Sequence, residues 1–471
     1  MMMKSEKINR RESREEKKRR KRLCRRRRQR SDYSKAREED SSPSVLWDAI
    51  VSDDDICFRH VLPRLNRTDV KFLFEVNTET RALIKRAAPL ELRKRFAIEE
   101  MSSISTLEFA WENRSLWPIW WDKRQFCRKV AGTNKLELLE WARGEKKCDS
   151  DERTFSEAAE RGNLEMIKYC VANGCPVIEL ACARAARNGH LECLKYLHED
   201  VKAPWDWETA SEAALNGRLH ILEYLVERKY DQYYAYVCSC AAANGHLDCL
   251  KYLHEEAKAP WDCETASFAA RNGHLHILEY FVEREYDEFD ESACSWAAEY
   301  GYLECLKYLH EVAEAPWDCE TANWAASNGH LHILEYLVER EYDRYDEFAC
   351  RNAAENGHLD CLKYLHEDVK APWDWETASE AALNGHLHIL EYLVERKYDE
   401  FDKSACSCAA EYGHLECLKY LHEVAKAPWD SQAVEEAHAY DSLQCLQYLL
   451  DNDCPLPGGW RYEDGRLRTP G

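Results

Sequence analysis

The sequence predicts an all-α protein, built as a solenoid of stacked helical hairpins and preceded by a small helical segment. The first observation is a series of nine glycines, spaced 28 residues apart from Gly189 to Gly413. Self-similarity at this period is typical of stacked repeat arrays. The second is that each unit has the pattern of a helix, a turn and a helix. The third is that a hairpin this short cannot bury its apolar face alone, whereas stacked neighbours can.

The unit around Gly217 shows why each element is expected. Residues 208–214 are good helix formers, and Asp206 before them is a suitable N-cap. Gly217 ends this first helix, because glycine adopts the left-handed backbone at little steric cost. A second helix follows at once, since the apolar residues of 219–225 recur at helical spacing.

Residues 213–225 resemble the ankyrin repeat, with two alanines, a glycine three positions on and then the second helix. The resemblance covers roughly residues 150–450. It implies an ankyrin-type solenoid in which the first helices line the concave face. Family units usually run to about 33 residues and open on Thr-Pro-Leu-His, a slot taken here by residues 208–211. We therefore expect shortened inter-repeat loops and no binding by long loop tips.

Charge divides the chain into a basic tail and an acidic body. Residues 1–40 hold 18 Lys and Arg against 8 Asp and Glu, which leaves 47 basic and 79 acidic residues elsewhere. An acidic body repels phosphates, so nucleic-acid binding by the repeats is not expected. The predicted domains are a basic disordered tail, an amphipathic helical segment, degenerate repeats, regular repeats and a C-terminal loop, at 1–43, 44–100, 101–160, 161–450 and 451–471.

The basic tail contains two runs of positive charge that resemble a nuclear or nucleolar localisation signal. Charge runs are weak signals by themselves, and the alternative is a solvated arm that no receptor reads. The residues assigned to the signal are Lys17, Lys18, Arg19, Arg20, Arg25, Arg26, Arg27 and Arg28.

Residues 55–77 resemble an F-box, with a short amphipathic helix, a polar turn at Asp69 and a second helix. The resemblance implies docking on the small adaptor of a cullin ubiquitin ligase. Pro63 departs from the pattern, because it falls late in a helix and removes a backbone donor. The alternative is a helical cap over the first repeat. The residues assigned to adaptor binding are Val61, Leu62, Leu65, Val70 and Leu73.

Recurring histidines and cysteines invite a metal interpretation, which the spacing disfavours. A pair such as Cys238 and Cys240 points to different faces of a helix, whereas zinc needs four converging ligands. The cysteine of alternate second helices, such as Cys193, occupies an apolar position and is predicted to be a small buried side chain. The histidine after the glycine is predicted to form structural hydrogen bonds. We expect no metal site.

No catalytic constellation or phosphate-binding glycine loop occurs in the sequence, so we expect no catalytic residues, no cofactor and no enzyme. No apolar signal-peptide core opens the sequence, and no run of about 18 apolar residues could span a bilayer. Without an export signal, the 22 cysteines indicate a reducing interior. These features predict an intracellular monomer of the nucleus or cytoplasm.

Two further patterns predict contacts between neighbouring units. Trp205 and its equivalents recur every 56 residues after Ala-Pro, and we expect them to pack over a helix start rather than to line one edge as a ladder. Six residues after the glycine, Lys and Glu alternate from Lys195 to Glu223 and onward. Because equivalent positions lie side by side, this alternation predicts attraction between units.

The positions that vary between units identify a candidate partner-binding site on the first helices. Five residues before the glycine, three consecutive units carry Phe268, Trp296 and Trp324, with Arg271 and Glu299 beside them. Aromatic and arginine clusters are favoured at binding hot spots. The alternative is that the tryptophans pack between helices.

The sequence as a whole indicates a protein–protein interaction module that binds a partner through its solenoid. If residues 44–100 are an F-box, the module is a substrate receptor of a cullin ubiquitin ligase. The alternative is a passive scaffold or nuclear anchor without ligase contact. A third class, a nucleic-acid-associated protein acting through its basic tail, is the weakest of the three.

Overall fold

The computed structural model describes residues 97–114, 117, 120–230, 234–463 and 465–469. The chain divides into two compact units, Met1–Asp149 and Ser150–Gly471. The basic tail, 1–43, lies outside the described residues, as does the predicted F-box-like segment up to residue 96.

The described part of the first unit is helical. A short 3-10 helix, Ile98–Glu100, is followed by α1 (Ile104–Glu112), α2 (Lys123–Ala131) and α3 (Leu136–Gly144). Helices α2 and α3 pack against each other as a hairpin. Residues 133–140, which were expected to align with a second helix, include the start of α3.

Within its described residues, the second unit contains eleven stacked helical hairpins. The first helices are α4 (Glu152–Glu160), α6 (Leu180–Asn188), α8 (Trp207–Leu215), α10 (Ala235–Ala243), α12 (Cys263–Arg271), α14 (Glu291–Glu299), α16 (Cys319–Ser327), α18 (Glu347–Glu355), α20 (Trp375–Leu383), α22 (Lys403–Glu411) and α24 (Ser431–Ala439). The second helices are α5 (Leu164–Ala172), α7 (Leu191–Tyr196), α9 (Leu219–Glu227), α11 (Leu247–Glu255), α13 (Leu275–Glu283), α15 (Leu303–Glu311), α17 (Leu331–Glu339), α19 (Leu359–Tyr364), α21 (Leu387–Glu395), α23 (Leu415–Tyr420) and α25 (Leu443–Asp451). The predicted all-α hairpin solenoid is confirmed.

The connections also follow the prediction, because no β-strand joins the described hairpins to one another. The second helices α7, α19 and α23 continue into π-helical turns, at Leu197–Val201, Leu365–Val369 and Leu421–Ala425. The repeat pattern did not predict these turns. The first hairpin of the second unit begins with α4 at Glu152, within the segment that the sequence assigns to degenerate repeats, 101–160.

Each hairpin is fixed by a cap and a glycine, as in the unit that contains α12. The side chain of Asp262 accepts a hydrogen bond from the backbone N–H of Thr265 at 3.2 Å and caps the helix. At the other end, Gly273 adopts a φ of 73°. The ring of Tyr302, from the next unit, occupies the space that a Cβ on this glycine would need. The absence of a side chain at Gly273 therefore allows both the left-handed turn and the close packing of Tyr302.

The core lies between the units. In α13, Ile277, Leu278 and Phe281 are fully buried, as are the paired alanines Ala269 and Ala270 of α12. Full burial of one such large apolar side chain stabilises the fold by about 1.5–3 kcal/mol. Each unit needs its neighbours for this burial, which explains why the hairpins stack.

The predicted roles of histidine and cysteine are confirmed. The Nε2 of His330 donates a hydrogen bond to the carbonyl of Glu299 in the preceding unit at 3.0 Å. Cys193 is buried and free, and burial raises the pKa of its thiol to about 11. Its equivalents Cys249, Cys305, Cys361 and Cys417 are likewise buried and free.

The recurring tryptophans have the packing role that the sequence predicted. Trp261 stacks on His254, with 3.6 Å between the ring centroids. It meets Tyr286 edge-on at 5.7 Å, and the hydroxyl of Tyr286 donates to the carbonyl of Asp262 at 2.6 Å. The tryptophan thus joins one connection to the next.

The expected attraction between alternating Lys and Glu does not take the form of ion pairs between units. Lys195 pairs with Glu192 of its own helix at 3.0 Å, because a lysine reaches a glutamate three residues away more easily. Ion pairs between units form elsewhere, as when Arg228 pairs with Glu199 at 2.5 Å. The prediction was therefore wrong about which residues pair.

The C-terminal segment, expected to be a loop, contains a β-hairpin. Strand β1 (Arg461–Glu463) pairs antiparallel with β2 (Arg466–Arg468). The hairpin is held against the last repeat, since Gln447 donates to the hydroxyl of Tyr462 at 3.1 Å. Short strands of this kind are set by tertiary contacts rather than by a long alternating pattern.

Candidate partner-binding surface

The varying positions of the first helices form a continuous surface, which we call the first-helix stripe. It consists of two residues from each hairpin. They lie five and two positions before the repeated glycine, or before the residue that replaces this glycine. In α12, α14 and α16 the first of these positions holds Phe268, Trp296 and Trp324. They flank alanines that are fully buried, so the stripe lies beside the core rather than in it.

Phe268 and Trp296 contact each other across neighbouring units, with 5.3 Å between ring centroids and a tilt of 58°. Both are half-buried, whereas Trp324 is 38% exposed. The alternative expected from the sequence, packing between helices, therefore applies in part to the first two rings. Trp324 leaves a large apolar surface in solvent.

Arg271 of α12 contacts two aromatic rings of the neighbouring unit, which contains α14. Its guanidinium lies 5.4 Å from the ring centroid of Trp296 and 5.1 Å from that of Tyr300. It also donates a hydrogen bond to the Tyr300 hydroxyl at 2.7 Å. A cation–π contact at an exposed site contributes about 0.5–1 kcal/mol. Phe268, Arg271 and Trp296 thus form one cluster.

Sequence reasoning missed Tyr300 as a member of this cluster. Tyr300 is 41% exposed and lies directly before Gly301, where the neighbouring units carry Asn272 and Asn328. The change from asparagine to tyrosine at this position is the feature of the sequence that could have identified Tyr300. Glu299, by contrast, is half-buried, and its backbone carbonyl accepts from His330. The structure shows no contact between the Glu299 side chain and the aromatic cluster.

Toward the N-terminal end of the array, the stripe is ionic and internally paired. Arg184 of α6 forms a salt bridge with Glu160 of α4. Arg187 of α6 pairs with Glu212 of α8 at 3.7 Å. Both pairs join neighbouring units, so each charge on this part of the stripe has a counterion.

Toward the C-terminal end, the stripe is acidic. Its carboxylates have no cationic side chain within 4.0 Å among the described residues, and they belong to Glu355, Glu380, Glu411 and Glu436. Burial raises the pKa of Glu380, and the carboxylates of Glu355 and Glu376 raise it further, while Arg351 lowers it. The nearby cation Arg351 is already engaged with Asp374 and Glu376.

Among the described residues, features of two other kinds are absent. These residues include no group of three or more His, Cys, Asp or Glu side chains placed to hold a metal ion. Of the helices described, none is long and apolar enough to cross a membrane.

The remaining candidate residues from the sequence lie outside the described residues. These are the adaptor-binding residues Val61, Leu62, Leu65, Val70 and Leu73, and the localisation-signal residues Lys17, Lys18, Arg19, Arg20, Arg25, Arg26, Arg27 and Arg28.

The fold and the stripe define a solenoid protein whose units are helical hairpins with a variable first-helix surface. Residues 237–317 match a family model described as ankyrin repeats in three copies, and residues 155–198 match one described as ankyrin repeats in many copies. The chain therefore contains ankyrin repeats. A comparison with curated proteins gives no match.

Solved structures show weaker similarity. The pentatricopeptide repeat protein PPR10 in complex with an 18-nt psaJ RNA element has 11% identity and a TM-score of 0.36, with 88% of this chain and 72% of that chain covered. PPR10 from maize has 11% identity and a TM-score of 0.30, with 86% and 64% covered. Likeness at this level supports no inference about the function of this chain.

Proposed function

We propose that this protein binds a partner protein through the aromatic part of its first-helix stripe. The observation that carries the proposal is the cluster of Phe268, Arg271 and Trp296, continued by the exposed Trp324. Of these side chains, Trp324 exposes the largest apolar surface to solvent, and a partner that covers it would bury that surface. Tryptophan, tyrosine and arginine are the residues that most often dominate binding energy at interfaces.

The arrangement of the helices supports the same surface. Neighbouring first helices pack more closely together than neighbouring second helices do. A segment lying along the stripe therefore contacts several hairpins at once, each through a closely packed first helix. Such repeated contacts allow a modest contribution from each unit to add up to a specific complex.

The test is a double substitution, Trp296→Ala with Trp324→Ala, in the full chain. Partner proteins are captured on the unmodified protein and quantified by mass spectrometry. We expect at least a tenfold loss of capture, about 1.4 kcal/mol, with little change in melting temperature. The matched control is Trp207→Ala with Trp375→Ala, which removes tryptophans that are 44% and 43% exposed at the starts of first helices. Equal loss in both variants, or a large fall in melting temperature, would contradict the proposal.

A sharper form of the proposal makes the protein a substrate receptor of a cullin ubiquitin ligase. Its support is the F-box-like sequence of residues 55–77. Leu65→Ala with Leu73→Ala is then expected to abolish capture of the ligase adaptor while the repeats stay folded. If the adaptor is never captured, and a single stable partner is, the alternative of a passive scaffold or nuclear anchor is favoured.

The basic tail adds an expectation about location. We propose that the runs ending at Arg28 direct the protein to the nucleus. Replacing Arg25, Arg26, Arg27 and Arg28 by alanine in a fluorescent fusion is expected to abolish nuclear accumulation. Identical distributions of the two fusions would mean that the tail is only a solvated arm.

A further inference from the structure

The chemistry of the first-helix stripe changes in one direction along the array. At the N-terminal end its charges are paired, in the middle it is aromatic, and at the C-terminal end it is acidic. The paired part involves Arg184 and Arg187, and the middle involves Trp296 and Trp324. A partner segment that follows the stripe from the middle to the C-terminal end therefore passes from apolar to negative surface.

The acidic part is costly for the free protein. Glu355 of α18 and Glu380 of α20 lie on neighbouring first helices, and the Glu355 carboxylate helps burial to raise the pKa of Glu380. Like charges at neighbouring positions destabilise a fold. At equivalent positions in α6, arginines supply counterions to the neighbouring glutamates, so the array has a means of neutralising such charges that it does not use here.

We infer that the first-helix stripe binds a positively charged polypeptide segment of a partner protein, with apolar side chains against α12 to α16 and Lys or Arg side chains against α18 to α24. The inference rests on the proposed function, because it assigns the chemistry of the segment that the same surface takes. The Lys or Arg side chains of the bound segment would act as the counterions that Glu355 and Glu380 lack in the free protein. The apolar end would cover Trp324.

The same charges argue against a nucleic acid on this surface. Its phosphates would lie against the carboxylates of Glu355, Glu380 and Glu411, and repulsion between like charges opposes such binding. A basic protein segment meets the acidic part with opposite charge, and electrostatic complementarity of this kind increases both association rate and specificity.

The spacing of the helices sets the length of the segment. Trp296 on α14 and Glu380 on α20 are three first helices apart. At about 9 Å between packed helix axes, the two side chains are separated by roughly 27 Å. An extended chain that advances about 3.3 Å per residue covers this distance with roughly eight residues. A probe of about twelve residues is therefore long enough to reach both parts.

The experiment measures binding of a fluorescently labelled synthetic peptide to the full-length protein by anisotropy. The peptide carries Leu and Trp in one half and Lys and Arg in the other. A second peptide has Glu in place of every Lys and Arg, and a single-stranded RNA of equal length is the third probe. We expect the basic peptide to bind at least tenfold more tightly than either of the other probes.

The decisive variant is Glu355→Lys with Glu380→Lys, which is expected to weaken binding of the basic peptide at least tenfold. Its matched control is Glu335→Lys with Glu391→Lys, which makes the same change in net charge at exposed positions of the second helices α17 and α21. The control is expected to change the affinity by less than about threefold. Circular dichroism checks that both variants stay folded.

Three other outcomes would overturn the inference, and each would point to a different cause. Equal weakening in both variants would mean nonspecific attraction to a chain with a net charge of −22. Tighter binding of the RNA would assign the surface to a different class of partner. If Trp296→Ala with Trp324→Ala weakens partner capture but the charge reversal does not affect the peptide, the inference fails while the proposed function stands.

Discussion

The imidazole of His310 lies flat on the indole of Trp317, with 3.6 Å between ring centroids and 12° between ring planes. The same stack recurs in alternate units, at His198 with Trp205, His254 with Trp261, His366 with Trp373 and His422 with Trp429. Because each stack joins the end of one hairpin to the connection that follows, the protonation of these histidines is coupled to the stability of the array.

Stability is expected to decline at acid pH through these stacks. Burial lowers the pKa of His310 below its ordinary value of 6.5, and Arg340 lowers it further while Glu311 raises it. Just below pH 6.5, His310 therefore binds fewer protons in the folded protein than in the unfolded chain. The neutral His310 makes its full contribution to the free energy of unfolding above about pH 6.5. This contribution is lost as the pH falls through the lowered pKa.

The measurement is the melting temperature as a function of pH, in the unmodified protein and in a variant with all five stacked histidines replaced by phenylalanine. Phenylalanine keeps an aromatic ring on the tryptophan but does not titrate. We expect a smaller loss of melting temperature between pH 7 and pH 5 in the variant. An unchanged loss would mean that other groups cause the acid sensitivity.

Gly273→Ala is expected to destabilise the array by roughly 1–3 kcal/mol, because it adds both backbone strain and overpacking. The backbone φ is 73°, and the added Cβ would lie 2.5 Å from the ring of Tyr302. Gly413→Ala is the matched control, since its φ is 77° but its nearest neighbour is the Ser442 hydroxyl at 3.4 Å. Thermal denaturation should therefore show a larger fall for Gly273→Ala. Equal falls would mean that Tyr302 moves aside at no cost.

Arg351→Ala is expected to cost about 1–3 kcal/mol, because it leaves Asp374 and Glu376 without their cation. Two units later in the chain, Ser407 takes the equivalent position, and Ser379 takes it in the adjacent unit. The Ser379 hydroxyl donates to Asp402, the N-cap of the next first helix, at 3.5 Å. Arg351→Ser is therefore expected to cost less than Arg351→Ala in denaturant unfolding. The opposite order would show that the serine bond cannot replace the ion pair.

Truncation is expected to leave a folded protein when it falls between hairpins. A chain ending at Pro372 keeps α19 and its π-helical turn, and the hairpins pack mainly against their immediate neighbours. Its helical circular dichroism should fall only in proportion to the residues removed. A chain ending at Tyr364 loses the fully buried Leu365 and is expected to melt at lower temperature. Loss of all helicity in the longer fragment would contradict the stacked-array interpretation.

The sequence by itself determined the repeat, its two helices, the cap at Asp206, the turn at Gly217 and the burial of Cys193. These features depend on local backbone preference and on contacts between neighbouring copies, and both recur with every unit. A pattern copied many times therefore specifies them well. The candidate residues Phe268, Trp296 and Trp324 could also be found, because they depart from that pattern.

Only the tertiary structure decided which side chains meet. Lys195 was expected to interact with Glu223 but pairs with Glu192, and Arg271 bonds to Tyr300, which the sequence did not single out. Such choices depend on differences of a few ångströms between several acceptable partners, and a periodic pattern does not encode them. The C-terminal β-hairpin is of the same kind, since its strands are too short to be recognised before the last repeat provides a surface for Tyr462.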